Sequence, residues 1–562
     1  MFDDRSYREM EKALEQVISA KGNRLSELRD ILLGKKPLRF LDRSALSPEQ
    51  ATRDELWAWH DRYTEGLSPE AVMPQHLFSS SSPIDNSLNE SQKEAIQDIL
   101  AARDIAVVHG PPGTGKTTTM VAAIQMLCAR ENTVLVTAPS NTAADLLTER
   151  LAEKGLLVVR IGNLSRIDEQ VVRHTLDAQL ANHPESKNLK KVKIQAAEYR
   201  RSARQFKRHF GAEERREREH LKRQARELEE WSRTLENRII DQIISGAQAV
   251  VCTLVGAAHP FLQNYRFRTC IIDEAAQALE PAAWIPIIKS SRVILAGDPF
   301  QLPPTVKSQE ANREGLSHTL IERCLEQFPE QVNLLKVQYR MHQVIMGFSN
   351  SWFYQNALEA HPSVKERDLQ EIVPGLEDTE TPLLFIDTAG CGFDEQQAPS
   401  HNASRRASRS NPEEALLIRE HLLQLLKKFP DGAYPEVAVL SPYREQVNQL
   451  NQLVADDPVL KPLLQATPGE EHAAPRLIVQ TIDGFQGQER QVVYISLVRS
   501  NNRNEIGFLS DYRRMNVAMT RAQMLLVVVG DSATIGNNKF YQSFLDYVEK
   551  HGQYDTAWSY LQ

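Results

Sequence analysis

The octapeptide GPPGTGKT, Gly110 to Thr117, constrains the fold of this 562-residue chain more than any other stretch. It follows the apolar run IAVVHG (Ile105 to Gly110) and precedes the helical pattern TTTMVAAIQMLCAR. A glycine-rich loop between a buried strand and a helix reads as a phosphate-binding loop, because its glycines let backbone N–H groups turn inward at a helix N-terminus. The expected nucleotide contacts are Gly110, Pro112, Gly113, Thr114, Gly115, Lys116, Thr117 and Thr118. Lys116 supplies a point charge for the β- and γ-phosphates of ATP, and the Thr117 hydroxyl suits Mg²⁺. The bland alternative is a glycine-rich turn with a chance lysine, and it leaves the flanking strand and helix without a role.

Such a loop needs an acidic partner at a nearby strand end. Asp273 and Glu274 follow the apolar run Cys270-Ile271-Ile272. Asp273 would hold Mg²⁺ through water, and Glu274 would polarise the attacking water as general base. Two acids at a strand end are commonly just solvated; the phosphate loop upstream favours the functional reading. Gln92 lies in the helical start LNESQKEAI (Leu88 to Ile96). Its amide suits the adenine edge, although helix capping by Asn89 and Ser91 explains the same residues.

From Gln92 to about Gly162, strand and helix patterns alternate as in βαβ units. Further strands are expected at Thr133–Ser140, Ala249–Leu254, Thr269–Glu274 and Arg292–Asp298. A second α/β block carries strands at Leu383–Asp387, Val437–Pro442, Leu477–Asp483, Val492–Val498 and Leu525–Asp531. The spacing of Tyr7, Met10, Leu14 and Val17 predicts one helix over residues 1–35. Residues 36–87 are mixed and end in the loop SSSSP (Ser79 to Pro83), and residues 390–410 read as a polar, mobile loop. Asn411-Pro412-Glu413-Glu414 reads as a capped helix start.

Residues 165–243 break the alternation. Leu189, Val192, Ala196, Tyr199, Ala203, Phe206 and Phe210 repeat at helical spacing, Gly211 interrupts, and Leu221, Ala225, Leu228, Leu235 and Ile239 resume the stripe. This predicts a helical hairpin inserted into the first α/β block. The boundaries read as 1–87 for an N-terminal helical stalk and linker, 88–330 and 331–545 for two α/β domains, and 546–562 for a tail.

No apolar run approaches the roughly 18 residues of a membrane helix. The start MFDDRSYREM lacks the apolar core of a secretory signal. Five scattered cysteines without a CxxC pair read as reduced thiols, so a cytoplasmic location and no cysteine metal site are expected. The net charge of −8 counts mildly against nucleic-acid binding, but binding needs a local basic track rather than a basic whole.

The motif order then points to a family. LNESQKEAI, GPPGTGKTTT, APSNTAAD, DEAAQ, GDPFQLPP, QYRMH, TIDGFQGQE and VAMTRAQ follow one another across residues 88–523. This closely resembles the superfamily 1B helicases of the up-frameshift, Senataxin and immunoglobulin-mu-binding-protein type. The resemblance implies two RecA-like domains with ATP in the cleft between them. It implies Gln301 as the sensor linking γ-phosphate to nucleic acid, Tyr339 stacked on adenine, Arg340 on the γ-phosphate, Glu489 near Gly487 on the ribose, and Arg521 as the arginine finger. Arginine suits the developing phosphoryl charge, being planar and permanently ionised. The resemblance further implies a single strand crossing Pro139, Ser140, Asn141, Thr142 and Thr253 in the first domain, and Ser441, Pro442, Tyr443 and Thr481 in the second. Short hydroxyl and amide groups suit phosphate contacts, though ordinary strand-end turns use the same residues. Family members usually carry a small β-barrel on stalk helices before the glutamine. Here residues 1–35 resemble one stalk helix, and the barrel and the family's accessory zinc-binding modules are expected to be absent from this chain.

The leading expectation is an ATP-dependent 5′→3′ helicase or translocase on single-stranded RNA or DNA, acting as a monomer without a membrane. The alternatives are a nucleotide-gated single-strand clamp that does not unwind, and an ATPase that remodels protein or nucleoprotein complexes. Residues 186–240 hold 17 Lys and Arg against 9 Asp and Glu, which suits an electrostatic guide for the strand or else a solvated, partly self-paired surface. Replacing Arg200, Arg201, Arg204, Lys207 and Arg208 with Gln is expected to weaken single-strand binding and flatten its dependence on salt. Affinity titrations across salt concentrations check this, and an unchanged slope would remove the guide.

Overall fold

Two sets of short apolar runs form two parallel sheets, because a strand covered by helices on both faces must be apolar throughout. The computed structural model describes residues 4–41, 87–163, 167–204, 211–376, 381–397, 408–430, 432–465 and 475–560. The chain divides into two units. The first comprises Met1–His109, Thr117–Gly297 and Pro304–Asn333, and the second Gly110–Lys116, Asp298–Pro303 and Leu334–Gln562.

The first sheet contains β1 (Ile105–His109), β2 (Val134–Ala138), β3 (Val158–Ile161), β4 (Ala249–Thr253), β5 (Phe267–Ile272), β6 (Ser290–Gly297) and β7 (Val332–Leu334), in the order β3-β4-β2-β5-β6-β1-β7. Every residue of β1 and β2 is buried. β1 runs parallel to β6, and β2 lies between β4 and β5. The predicted strands are all present. β3 was not foreseen, since its four residues include Arg160, a fully buried cation held by Asp145 at 2.7 Å.

The N-terminal stalk differs from the single helix expected over residues 1–35. It is two helices, Asp4–Ser19 and Arg24–Leu32, separated by Gly22 at φ +65° and capped by Asn23, whose side chain accepts from Ser26 N–H at 3.0 Å. Arg24 (2.6 Å) and Arg39 (2.8 Å) converge on Asp104, buried just before β1. Burial pushes the Asp104 carboxyl up, but the two guanidiniums outweigh it and hold the pKa below the ordinary value. The loop Ser79 to Pro83 lies outside the described residues.

In the predicted insertion, the helices Ser186–Arg204 and Ala212–Gly246 pack through Leu189, Leu235 and Ile239. Ion pairs join them: Lys193 with Glu236 at 2.8 Å and Arg200 with Glu229 at 2.5 Å. Arg200, Arg201 and Arg204 all face solvent, so Arg200 is exposed yet partnered. Phe206, Lys207, Arg208 and Phe210 lie outside the described residues.

The second unit holds two short pairs: β8 (Val337–Gln338) beside β9 (Glu359–Ala360), and β11 (Gln396–Gln397) antiparallel to β12 (Arg409–Ser410). The latter pair occupies the described ends of the segment expected to be a mobile loop. Its main sheet has the order β14-β13-β15-β16-β10-β17, with β10 (Leu383–Asp387), β13 (Val437–Ser441), β14 (Leu477–Thr481), β15 (Arg490–Ser496), β16 (Ala522–Gly530) and β17 (Gln553–Thr556). β17 pairs parallel with β10, so the sheet reaches past residue 545 into the segment read as a tail.

The helix Pro412–Lys427 begins where expected, with Asn411 accepting from Glu414 N–H at 3.0 Å. The Glu414 carboxylate, however, does not return to the cap. It turns inward and accepts from Ser496 Oγ at 2.7 Å and from Val498 N–H at 3.1 Å. Burial pushes its pKa from the ordinary 4.5 up to about 7, with the Ser496 and Val498 donors opposing the rise. Between those values the folded chain holds a proton that the unfolded chain has released, so stability falls as pH rises through that window and is flat above it. Wild type is expected to lose about 3 kcal/mol more than Glu414→Gln between pH 4.5 and 7.5. Denaturant unfolding of both proteins across that range checks this, and parallel pH profiles would contradict it.

Candidate functional site

The phosphate loop leaves β1 at His109 and enters the helix Lys116–Cys128. Gly113 (φ +75°) and Gly115 (φ +74°) both adopt the left-handed backbone that a side chain disfavours. A Cβ on Gly110 would meet Lys116 Cβ at 2.7 Å, and one on Gly113 would meet Arg340 Cβ at 2.7 Å. Thr114 is buried, its Oγ donating to Pro111 C=O at 2.7 Å. Pro112 is buried, Thr117 half-buried and Thr118 exposed.

Within the second unit, to which Gly110–Lys116 belongs, the loop sits on the QYR turn. Tyr339 N–H donates to Gly113 C=O at 2.8 Å. Fully buried Gln338 locks the turn: its Oε1 accepts from Arg340 N–H and Met341 N–H, both at 2.8 Å, and its Nε2 donates to Met341 C=O at 2.7 Å. The Tyr339 ring lies against His361, with centroids 4.6 Å apart. Arg340 is paired with Glu489 and donates to Thr520 C=O at 3.1 Å. Glu489 also accepts from Gln523 at 2.8 Å. Burial pushes the Glu489 carboxyl up, but Arg340, Gln523 and Arg521 prevail and hold its pKa below the ordinary value. Gly487 stands at φ +80° in the adjoining turn.

Gln301 belongs to a second chain of contacts in this unit. Its Nε2 donates to Asp298 at 2.8 Å, and its Oε1 accepts from Arg521 at 3.1 Å. Buried Tyr354 donates to the same Asp298 at 2.7 Å and accepts from Asn516 at 3.1 Å. Arg521 also donates to Val517 C=O and Gln488 C=O. Asp298, Gln338, Tyr354, His361 and Gln523 escaped the sequence reading. Asp298 and Gln338 lie inside the quoted motifs GDPFQLPP and QYRMH; Tyr354 and His361 are isolated residues with no local signal.

In the first unit, Asp273 is buried, and its Oδ1 accepts from Glu274 N–H at 2.9 Å. Glu274 takes φ +52°, a strained conformation for a side-chain-bearing residue, and its carboxylate accepts from Gln277 at 3.0 Å. The following turn packs on Gly297, where a Cβ would meet Ala276 N at 2.9 Å. Thr117 and Asp273 offer hydroxyl and carboxylate oxygens, the hard donors that fit Mg²⁺. Gln92 is buried in a capping box: its Oε1 accepts from Asn89 N–H at 3.0 Å, while Asn89 Oδ1 accepts from Gln92 N–H at 3.0 Å. The cap weighed at the sequence level is therefore present.

The residues read as nucleic-acid contacts fall at strand ends in matching register. Ala138, just before Pro139, pairs with Thr253, and Ser441 pairs with Thr481. Ser140 and Thr142 are exposed, Pro139, Asn141, Thr253, Pro442 and Thr481 half-buried, and Ser441 and Tyr443 buried. Several also shape their turns. Ser140 caps the next helix, Asn141 accepts from Arg160 at 3.1 Å, and Thr253 and Thr481 accept from Gly256 and Gly484 N–H.

Among the described residues, no helix is long and apolar enough to cross a membrane. Two family models, each described as an AAA domain, match residues 87–309 and 316–533. The chain is 38% identical to DNA-binding protein SMUBP-2 of Rattus norvegicus over 88% of its own length and 47% of that protein's. It thus spans about half the length of that relative. It is 33% identical to DNA polymerase alpha-associated DNA helicase A of Schizosaccharomyces pombe, covering 86% of this chain and 69% of that one. It is also 33% identical to the regulator of nonsense transcripts 1 homolog of Drosophila melanogaster, covering 82% of this chain and 36% of that one. With two α/β domains in tandem and the whole motif series in place, the chain belongs to the superfamily 1 helicases of the up-frameshift, Senataxin and immunoglobulin-mu-binding-protein type.

Proposed function

We propose that the protein hydrolyses ATP to move 5′→3′ along single-stranded nucleic acid and separate strands. The observation that carries this reading is the phosphate loop, with two left-handed glycines at a helix N-terminus and its Gly113 carbonyl bonded to the Tyr339-Arg340 turn. In this reading Lys116 neutralises the β- and γ-phosphates, while Tyr339, backed by His361, stacks on the base. Gln92 and Glu489 border the adenosine. Thr117 and Asp273 hold Mg²⁺, which when bound offsets phosphate charge. Glu274 takes a proton from the attacking water, and its strained backbone helps fix the direction of the carboxylate.

Arg340 and Arg521 stabilise charge on the transferred phosphoryl group. Both are already oriented by hydrogen bonds to protein carbonyls, which lowers the cost of ordering them during reaction. Gln301 touches Arg521 directly, which suits a sensor relating phosphate state to the rest of the second unit. The strand follows the paired ends of β2 and β4 and of β13 and β14. The exposed hydroxyls of Ser140 and Thr142 meet phosphates, and the buried Ser441 and Tyr443 shape the path.

The deciding experiment is ATPase activity of the full chain with matched single-stranded RNA and DNA. Stimulation by either supports the motor, and the ratio reports the preferred sugar; an unstimulated ATPase would favour remodelling of protein complexes. Strand displacement in parallel separates a motor from a clamp. Lys116→Ala is expected to abolish hydrolysis. Glu274→Gln is expected to bind ATP normally while losing on the order of 10²-fold or more in turnover. Hydrolysis near the wild-type rate in Glu274→Gln would remove the general-base assignment.

Arg340→Ala and Arg521→Ala are each expected to cut turnover by on the order of 10²–10³-fold. Affinity for a fluorescent ATP analogue should fall far less. Loss of all nucleotide binding in both would mean that these arginines build the loop rather than serve the reaction.

A further inference from the structure

We propose that Phe508 is a nucleobase-stacking platform at the carboxyl end of the second sheet. The inference rests on the single-strand reading above and adds to it the surface that meets the bases. The residues assigned to the strand in this unit, Ser441, Pro442, Tyr443 and Thr481, suit the sugar-phosphate backbone. Tyr443 is the one aromatic among them, and at 3% exposure it has no ring face to offer a base.

Phe508 stands beside it. Its centroid lies 5.5 Å from that of Tyr443, and the rings are inclined at 49°. Unlike Tyr443, it is 41% exposed. This exposure is not incidental to a fraying end. Phe508 sits in the single turn Gly507–Ser510, and the next residue, Leu509, is buried in the core of the second unit. The turn therefore drives Leu509 inward and presents the phenyl ring outward.

The turn is held from below at several points. Phe508 N–H donates to Tyr443 Oη at 3.4 Å, and Leu509 N–H to Ile506 C=O at 3.1 Å. Gly507 takes φ +55°, and a Cβ there would meet Tyr443 Oη at 2.9 Å and collide with the Arg499 guanidinium. Arg499 is itself buried and paired with Glu395 at 2.5 Å. Only a glycine lets the turn rest this closely on that floor. A ring presented on a fixed turn loses little conformational freedom when a flat ligand covers it.

A cation borders the ring. The Arg514 guanidinium carbon lies 5.9 Å from the Phe508 centroid, within cation–π range. Arg514 is held by Asp483 at 3.3 Å and Asp511 at 3.4 Å. Asp483 lies two residues beyond Thr481, so the ring stands among the strand ends already assigned to the phosphates. Bases of every identity have an apolar face, and stacking on an aromatic ring grips a single strand without reading its sequence.

The test uses the full chain, a thymidine oligonucleotide, and an abasic deoxyribose-phosphate strand of the same length and charge at fixed salt. Phe508→Ala is expected to weaken thymidine-strand binding roughly tenfold and to leave abasic-strand affinity unchanged. Phe508→Trp should restore or exceed wild-type affinity for the thymidine strand. ATPase without nucleic acid should match wild type in both variants, which controls for folding. Equal losses on the two strands, or no loss on the thymidine strand, would overturn the stacking role while leaving the motor reading intact. A wild-type chain that binds neither strand would overturn both. If Phe508→Ala left both affinities unchanged but abolished a protein–protein contact, the ring would be a docking point and not a base platform.

Discussion

The contact on which the rest depends is the seat of Gly113 on the QYR turn. Gly113 has no Cβ, and the space a Cβ would need is taken by Arg340 Cβ 2.7 Å away. The Gly113 carbonyl accepts from Tyr339 N–H at 2.8 Å, so the loop that would hold phosphates and the turn carrying Tyr339, the ring proposed to stack on the adenine of ATP, share a hydrogen bond. Gln338 makes this possible by satisfying two backbone N–H groups from a fully buried position. A buried amide that lost those partners would leave donors unsatisfied at roughly 1–3 kcal/mol each. The turn is thus rigid for reasons local to itself, and any change in the loop is felt at Tyr339 and Arg340 first.

Around that seat, charged groups are arranged so that few have a free choice of direction. Arg340 is fixed by Glu489 and Thr520, and Arg521 by Val517, Gln488 and Gln301. Asp298 accepts from both Gln301 and Tyr354, tying the GDPFQ loop to a buried tyrosine just past the helix Gln343–Phe353. Glu274 is positioned differently, by a left-handed backbone that costs on the order of 1–3 kcal/mol and is sustained by the packing of its turn on Gly297. Strain at the proposed base and hydrogen-bond satisfaction at the cations serve the same end, which is geometry set before a substrate arrives.

Legibility from sequence followed the nature of each signal. The long apolar strands were readable because both faces are buried, which writes burial into every residue of β1 and β2. β3 was not, because Arg160 enters the interior as an ion pair with Asp145 and reads as surface. β17 was missed because Gln553–Thr556 carries no apolar run. The stalk reads as one helix because its stripe keeps its period through Val17, while the break at Gly22 and the new start at the Asn23 cap are short signals. Glu414 fitted a cap by position, yet its carboxylate is used by Ser496 and Val498, partners distant in sequence. The site motifs were legible as motifs; their supports, Tyr354 and His361, were not, because a single residue far along the chain carries no spacing to read.

The proposed division between backbone and base contacts follows from the same physics. Parallel strands in register bring Ala138 beside Thr253 and Ser441 beside Thr481, so short polar side chains from different sequence positions gather at one end of each sheet. Several of those hydroxyls are already committed to the turns they terminate, as Ser140 is to Ala143 N–H and Thr481 to Gly484 N–H. A net charge of −8 leaves long-range attraction to local basic segments such as residues 186–240. The proposed contacts add short-range terms: oriented polar turns for phosphates, and an exposed ring on a fixed turn for bases. Aromatic stacking is far less sensitive to salt than phosphate contact. In the proposed reading, stacking on Phe508 keeps part of the hold on a strand at salt concentrations that loosen phosphate contacts.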